Sequence, residues 1–330
     1  INRLDLNRGY TFCEGISGIC WTISHLIEKG FIHNENAEVI NYFDSFLSNN
    51  IVADLKRGNN DFLHGAIGAA NYLLKRIQID CVRKVQEEIL ELLAKQMQNN
   101  DDHYFWNYFV GPNEGIPACN ISLSHGMSGT GLFLVKAEQM GFKNNLTRDL
   151  LSKTSLFLSA QANSDSLAKS LYPSFSLKHG LSSPWGLYSR LGWCYGDLGI
   201  ALFFWYYSQL VSSIELREKA LEVFLFSTKR TGLEENSVFD GGICHGTSGI
   251  ALIFRRMYLN TQLPEFKLAA EYWVDQTLLM AKYNDGLAGY KANKKTLEYG
   301  LLEGIAGIGL VLLSFLSDND QQWDEFLLLS

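Results

Sequence analysis

Apolar and polar positions divide this chain into two kinds of segment that alternate along its length. One kind is apolar nearly all round, as in Ile200-Ala201-Leu202-Phe203-Phe204-Trp205 and the run from Ile305 to Leu316. That pattern predicts helices buried on both sides, here called inner helices. The other kind is charged on one face: Asn36–Leu47, Arg83–Met97, Thr147–Ala160, Ile214–Lys229 and Glu265–Lys282. In the second of these, Val85, Ile89, Leu93 and Met97 mark a dry face while Lys84, Glu87, Glu91 and Lys95 mark a wet one, as in an outer helix with one side in water. Ser212 and Glu215 stand three apart before the fourth, a capping-box start signal. Strand signal is scarce. The expected architecture is all-α, and an α/α toroid of helical hairpins buries two-sided inner helices more simply than an open superhelical solenoid.

Each inner segment is preceded by the same motif, a polar residue, then Gly, two residues and Gly. The copies are Glu14-Gly15-Ile16-Ser17-Gly18, His64-Gly65-Ala66-Ile67-Gly68, His125-Gly126-Met127-Ser128-Gly129, Tyr195-Gly196-Asp197-Leu198-Gly199, His245-Gly246-Thr247-Ser248-Gly249 and Glu303-Gly304-Ile305-Ala306-Gly307. Their spacing of about 50 to 70 residues leaves room for two helices and their loops. The glycines let the chain turn sharply and let helices approach closely at the ring's centre. Glu14, His64 and Glu303 read as buried packing devices that satisfy backbone groups. Irregular connections fall at Asn99–Asn120, with Pro112 and Pro117, and at Ser164–Leu187, with Pro173 and Pro184; both precede motifs and are expected to rim a site. No linker divides the chain, so residues 1–330 are expected to form a single domain.

Charge narrows the function. Among 330 residues, 28 basic against 35 acidic give a net charge of −7, which argues against a nucleic-acid or anionic-membrane surface. The run from Ile305 to Leu316 is shorter than the roughly 18–20 residues that cross a bilayer, so the chain is not expected to be transmembrane. Ile1-Asn2-Arg3-Leu4-Asp5 has no signal-peptide core; a cytoplasmic location is expected, with the chain beginning inside a longer protein. Six cysteines in this length do not suggest a disulfide framework. Cys20 and Cys81 sit among apolar residues and read as core; Cys13 and Cys119 carry no assigned role.

The other two cysteines occupy the same place in their motifs, Trp193-Cys194-Tyr195-Gly196 and Cys244-His245-Gly246. Cys194, Cys244 and His245 are therefore candidate ligands of one zinc ion. Two thiolates and an imidazole suit zinc, and three protein ligands leave the fourth tetrahedral position open, the mark of a catalytic site. The thiolates offset the 2+ charge, which favours activation of an incoming thiol over hydrolysis by bound water. The competing interpretation, two buried cysteines beside a satisfied core histidine, does not account for the repeat alignment.

Together with Ser124-His125-Gly126 and Leu302-Glu303-Gly304, these motifs resemble the lanthionine synthetase C (LanC) family of lanthipeptide cyclases, over essentially the whole chain. The resemblance implies a toroid with a central zinc that adds peptide cysteine thiolates to dehydroalanine or dehydrobutyrine, forming thioether rings. It implies zinc ligation by Cys194, Cys244 and His245, protonation of the enolate by His125, and further site roles for Asp61, Arg190 and Tyr195. Histidine is the natural proton donor near neutral pH; Asp61 would orient or charge it, and Arg190 would balance thiolate or steady the enolate. The partners implied are a dehydrated precursor peptide and a dehydratase, with a membrane-associated transporter complex as a further assembly. The family has seven inner helices against six motifs here, so a hairpin upstream of Ile1 is expected, and the family's small β-rich insertion is not evident. Two other interpretations stay open: a LanC-like zinc protein that binds peptide or glutathione as a scaffold, and a zinc-dependent prenyltransferase subunit, which lacks an alignable aspartate ligand.

Overall fold

The computed structural model of the chain describes residues 9–107, 118–163, 169–177, 186–317 and 322–330. The expectations for Ile1–Asp5, Pro112, Pro117 and Pro184 lie outside these residues, as do residues 108–117 of the first irregular connection and 164–168 and 178–185 of the second.

Two compact units divide the chain. The first comprises Ile1–Asn120, Ser124–Ala160 and Phe175–Ser183; the second comprises Ile121–Leu123, Gln161–Ser174 and Pro184–Ser330. In the first unit the elements run α1 (Ile16–Glu28), α2 (Ala37–Asn41), α3 (Asp44–Lys56), α4 (Ala66–Leu74), α5 (Asp80–Gln96), β1 (Gln98–Asn100), β2 (His103–Phe105), α6 (Met127–Gln139) and α7 (Asn145–Ala160). The second holds α8 (Asp197–Val211), α9 (Ile214–Thr228), α10 (Thr247–Thr261), α11 (Pro264–Leu279) and α12 (Ile305–Leu316).

Inner and outer helices alternate as the hydrophobic pattern predicts. The inner α4 packs on α1 and α6, and the outer α5 on α3 and α7; in the second unit α8 packs on α9, α10 on α11 and α12, and α9 on α11. All nine residues of α4 are buried. The last inner helix departs from expectation. In α12 only Gly307, Ile308 and Val311 are buried, and Leu313 and Leu316 are 60% and 85% exposed.

Each motif's first glycine is the N-cap of its inner helix. In five of the six, the next residue's N–H bonds the carbonyl seven positions back: Ile16 to Gly9, Ala66 to Asn59, Met127 to Asn120, Thr247 to Asp240 and Ile305 to Glu298. In four motifs the second glycine, Gly18, Gly68, Gly249 or Gly307, lies where this loop folds over the first helical turn. A Cβ at Gly249 would meet the Ile243 carbonyl oxygen at 1.9 Å, so the glycine serves loop-on-helix contact rather than the helix-on-helix contact expected. Gly196 alone among the N-caps has a positive φ, +88°, which L side chains rarely adopt.

Other local expectations need correction. The segment Asn36–Leu47 breaks at Tyr42 and Phe43 into α2 and the longer α3, and Asn41 and the buried Asp44, on either side of the break, both bind the Arg76 guanidinium. Ser213, not Ser212, caps α9, its hydroxyl accepting from the Leu216 N–H; Ser212 is the left-handed C-cap of α8. Cys20 is buried, but Cys81 lies exposed on α5. The start of the Asn99–Asn120 connection is a β-hairpin, with Asn100 opposite His103. Its two turn residues, Asp101 and Asp102, both take positive φ, the geometry of a tight hairpin turn.

Buried ion pairs stiffen both units: Arg76–Asp44 in the first, Arg230–Asp197 and Arg256–Asp324 in the second. Asp197 also accepts the Leu171 and Tyr172 N–H groups, and Arg230 binds the carbonyl of Ser189, beside Arg190. Among the described residues, no helix is long and apolar enough to cross a membrane.

Candidate metal centre and histidine pair

Two residues before the first glycine, the motif loops are stitched together by their backbones. In the first unit the Cys13 N–H bonds the Leu63 carbonyl at 3.0 Å, and the Leu63 N–H bonds the Ser124 carbonyl at 3.3 Å. In the second, the Cys194 N–H bonds the Cys244 carbonyl at 3.0 Å, and the Cys244 N–H bonds the Leu302 carbonyl at 2.8 Å. These rungs bring Cys194 and Cys244 side by side. Gly192 keeps the approach close: a Cβ there would lie 3.3 Å from the His245 Cα.

The candidate ligand atoms of Cys194, Cys244 and His245 lie within 4.8 Å of one another. Helix α10 begins only after Gly246, its extended N-cap, so the adjacent Cys244 and His245 lie in the loop before it, escape the helical divergence of neighbouring side chains and meet. Cys194 is buried, and Cys244 and His245 are partly so. Burial alone would raise the Cys194 thiol, but hydrogen bonds from Cys244 and His245, with the charges of His245 and Arg190, pull it well below its ordinary range. Cys244 is held well above it by its bond to Cys194 and by burial. His245 is pushed up to about 10, chiefly by Asp240 and then Cys194. These groups share hydrogen bonds whose protons a divalent cation would displace on binding. Two sulfurs and one imidazole fit a borderline-soft ion such as zinc.

Two carboxylates flank His245. Asp240 Oδ2 lies 3.5 Å from Nε2, and Glu303 Oε1 lies 4.0 Å from Nδ1. Neither contact is evident from the glycine motif alone. Asp240, however, stands six residues before Gly246, the place Arg190 holds before Gly196, and that shared register is the signal that would have found it. Arg190 is half-buried and its charge reaches both sulfurs. Tyr195 is half-buried at the place corresponding to His245.

The first unit brings together His125 and Asp61. The His125 Nδ1 to Asp61 Oδ2 distance is 2.7 Å, and Asp61 Oδ1 accepts the His64 N–H at 2.8 Å. The His64 ring stacks on His125, centroids 5.6 Å apart and planes 16° from parallel. His64, Glu14 and Glu303 are exposed, so they are not the buried packing devices that the motif suggested.

Comparison with known proteins agrees with these features. The family model described as lanthionine synthetase C-like protein matches residues 1–328. The nisin biosynthesis protein NisC of Lactococcus lactis subsp. lactis is 27% identical over 336 residues, covering 96% of this chain and 76% of NisC. A solved structure of nisin cyclase superposes with a TM-score of 0.77 at 22% identity, covering 97% of this chain and 80% of that one, which shows a shared, mostly helical fold. The chain belongs to the lanthionine synthetase C-like family.

Proposed function

We propose that this chain is a zinc-dependent lanthipeptide cyclase, adding cysteine thiolates of a dehydrated precursor peptide to dehydroalanine or dehydrobutyrine to form lanthionine and methyllanthionine rings. The enzyme class, lanthionine ring formation, follows the family and its two relatives. The observation that carries the mechanism is the convergence of Cys194, Cys244 and His245 within 4.8 Å.

These three residues would hold one zinc ion per chain and leave its fourth position to the substrate. Bound there, zinc supplies Lewis acidity that deprotonates a peptide thiol at neutral pH. Sulfur attack on the dehydro residue forms a carbon–sulfur bond and an enolate, and His125 delivers the proton to its α-carbon. Asp61 on Nδ1 fixes the imidazole tautomer, so that Nε2 exchanges the proton. Arg190 offsets the negative charge of thiolate or enolate, and Tyr195 lines the same site. The proposal extends to an α/α toroid as one domain, a cytoplasmic setting and a dehydratase partner, with assembly at a membrane-associated transporter.

The test is mass spectrometry of a dehydrated peptide incubated with and without the protein, with a thiol-alkylating probe to count free cysteines. Each ring formed consumes one free thiol at unchanged peptide mass. Ring formation that persists after metal removal overturns the zinc mechanism. Peptide or glutathione binding without thiol loss would instead favour a non-cyclising scaffold.

A further inference from the structure

We infer that Asp240 is a positioning residue for the metal centre: its carboxylate turns the His245 ring so that Nδ1, not Nε2, is presented to a metal ion. The inference rests on the zinc reading and adds to it a residue outside the ligand set.

Asp240 is only 3% exposed, and the backbone pins it on several sides. Its Oδ1 accepts the Gly242 N–H at 3.0 Å and its Oδ2 the Asn293 N–H at 2.9 Å. Its main-chain carbonyl accepts the Thr247 N–H at 3.0 Å. From that fixed position Oδ2 faces His245 Nε2 at 3.5 Å. A buried carboxylate beside a ring nitrogen keeps the hydrogen on that nitrogen, which leaves Nδ1 with the lone pair to share beside the two sulfurs.

The second carboxylate near the ring cannot do this. Glu303 has a side chain 45% exposed, and it lies 4.0 Å from Nδ1, on the side the metal would use. The loop position of Asp240 is held in the other motifs by Gly9, Asn59, Asn120, Arg190 and Glu298. An aspartate stands there only in the motif whose next helix begins after the histidine ligand.

The test measures zinc affinity of the whole chain by competition with a chromophoric chelator for wild type, Asp240→Asn and Cys244→Ala. It is paired with nitrogen-15 NMR of labelled histidine, which reports which ring nitrogen meets the metal. Outer partners of a metal-bound histidine are worth about 10- to 100-fold in affinity, and a loss of that size is expected for Asp240→Asn. In wild type, zinc is expected to shift the Nδ1 resonance of His245 and leave Nε2 protonated; in Asp240→Asn that preference weakens. A melting temperature of the metal-free variant close to wild type separates ring positioning from misfolding. If Cys244→Ala loses zinc while Asp240→Asn keeps wild-type affinity and the same nitrogen signature, the inference is overturned and the zinc reading stands. If wild type and Cys244→Ala bind zinc equally, the zinc reading falls and takes the inference with it.

Discussion

In the first unit the rung positions of the motif loops hold Cys13, Leu63 and Ser124; in the second they hold Cys194, Cys244 and Leu302. The backbone ladder is the same in both, and each rung precedes a glycine N-cap, yet the chemistry differs. In the second unit two neighbouring rungs carry sulfur, and the next residue adds an imidazole flanked by carboxylates. In the first, no two rungs carry sulfur, and the imidazole of His125 is held by Asp61 and by the ring of His64. One loop geometry thus gathers two thiols and an imidazole where adjacent repeats supply cysteines, and sets a histidine against a carboxylate where they do not.

The most forceful way to break this comparison is to delete a group from each unit and read metal and ring formation separately. Cys244→Ala is expected to abolish stoichiometric zinc, measured by metal analysis after dialysis, and ring formation with it. His125→Ala is expected to keep its zinc and lose ring formation by about 10²- to 10⁴-fold, the usual contribution of a positioned acid–base group. Zinc lost from His125→Ala as well would mean that the two regions are not chemically separate.

A smaller effect is expected at Asp61. A hydrogen bond to a charged group contributes about 1.5–3 kcal/mol, so Asp61→Asn should slow ring formation about 10- to 100-fold while zinc content stays unchanged. Asparagine keeps the shape and can still accept the His64 N–H, so folding should not suffer. A rate within twofold of wild type, measured on the same dehydrated peptide, would remove Asp61 from the mechanism.

How much of this was legible before the structure depended on whether the cause was local. The inner helices could be read because Ile200 to Trp205 is apolar on every face, and the meeting of Cys194 with Cys244 because they share a motif position. The exposure of Leu313 and Leu316 was not legible, since an apolar helix does not state what packs on it. Ser213 displaced Ser212 as the cap of α9 because α8 runs on and ends with Ser212 in a left-handed conformation. The contacts of Asp240 and His64 were missed for another reason. Each is set by loop folding, a carboxylate 3.5 Å from one ring and a ring 5.6 Å from another, and only the register that Asp240 shares with Arg190 hinted at either.

The finest distinction concerns how each histidine is steadied. In the second unit the partner is a carboxylate fixed by backbone amides; in the first, Asp61 is joined by an exposed ring. If His64 acts through its flat face, His64→Phe should preserve the rate within twofold. His64→Ala should lower it about two- to tenfold, since an aromatic pair contributes about 0.5–1.5 kcal/mol beyond its buried area. Both variants should keep wild-type zinc, measured in the same samples. A loss in His64→Phe as large as in His64→Ala would mean that the imidazole itself exchanges protons, and the first unit would then hold a pair of working histidines rather than one histidine on a stacking support.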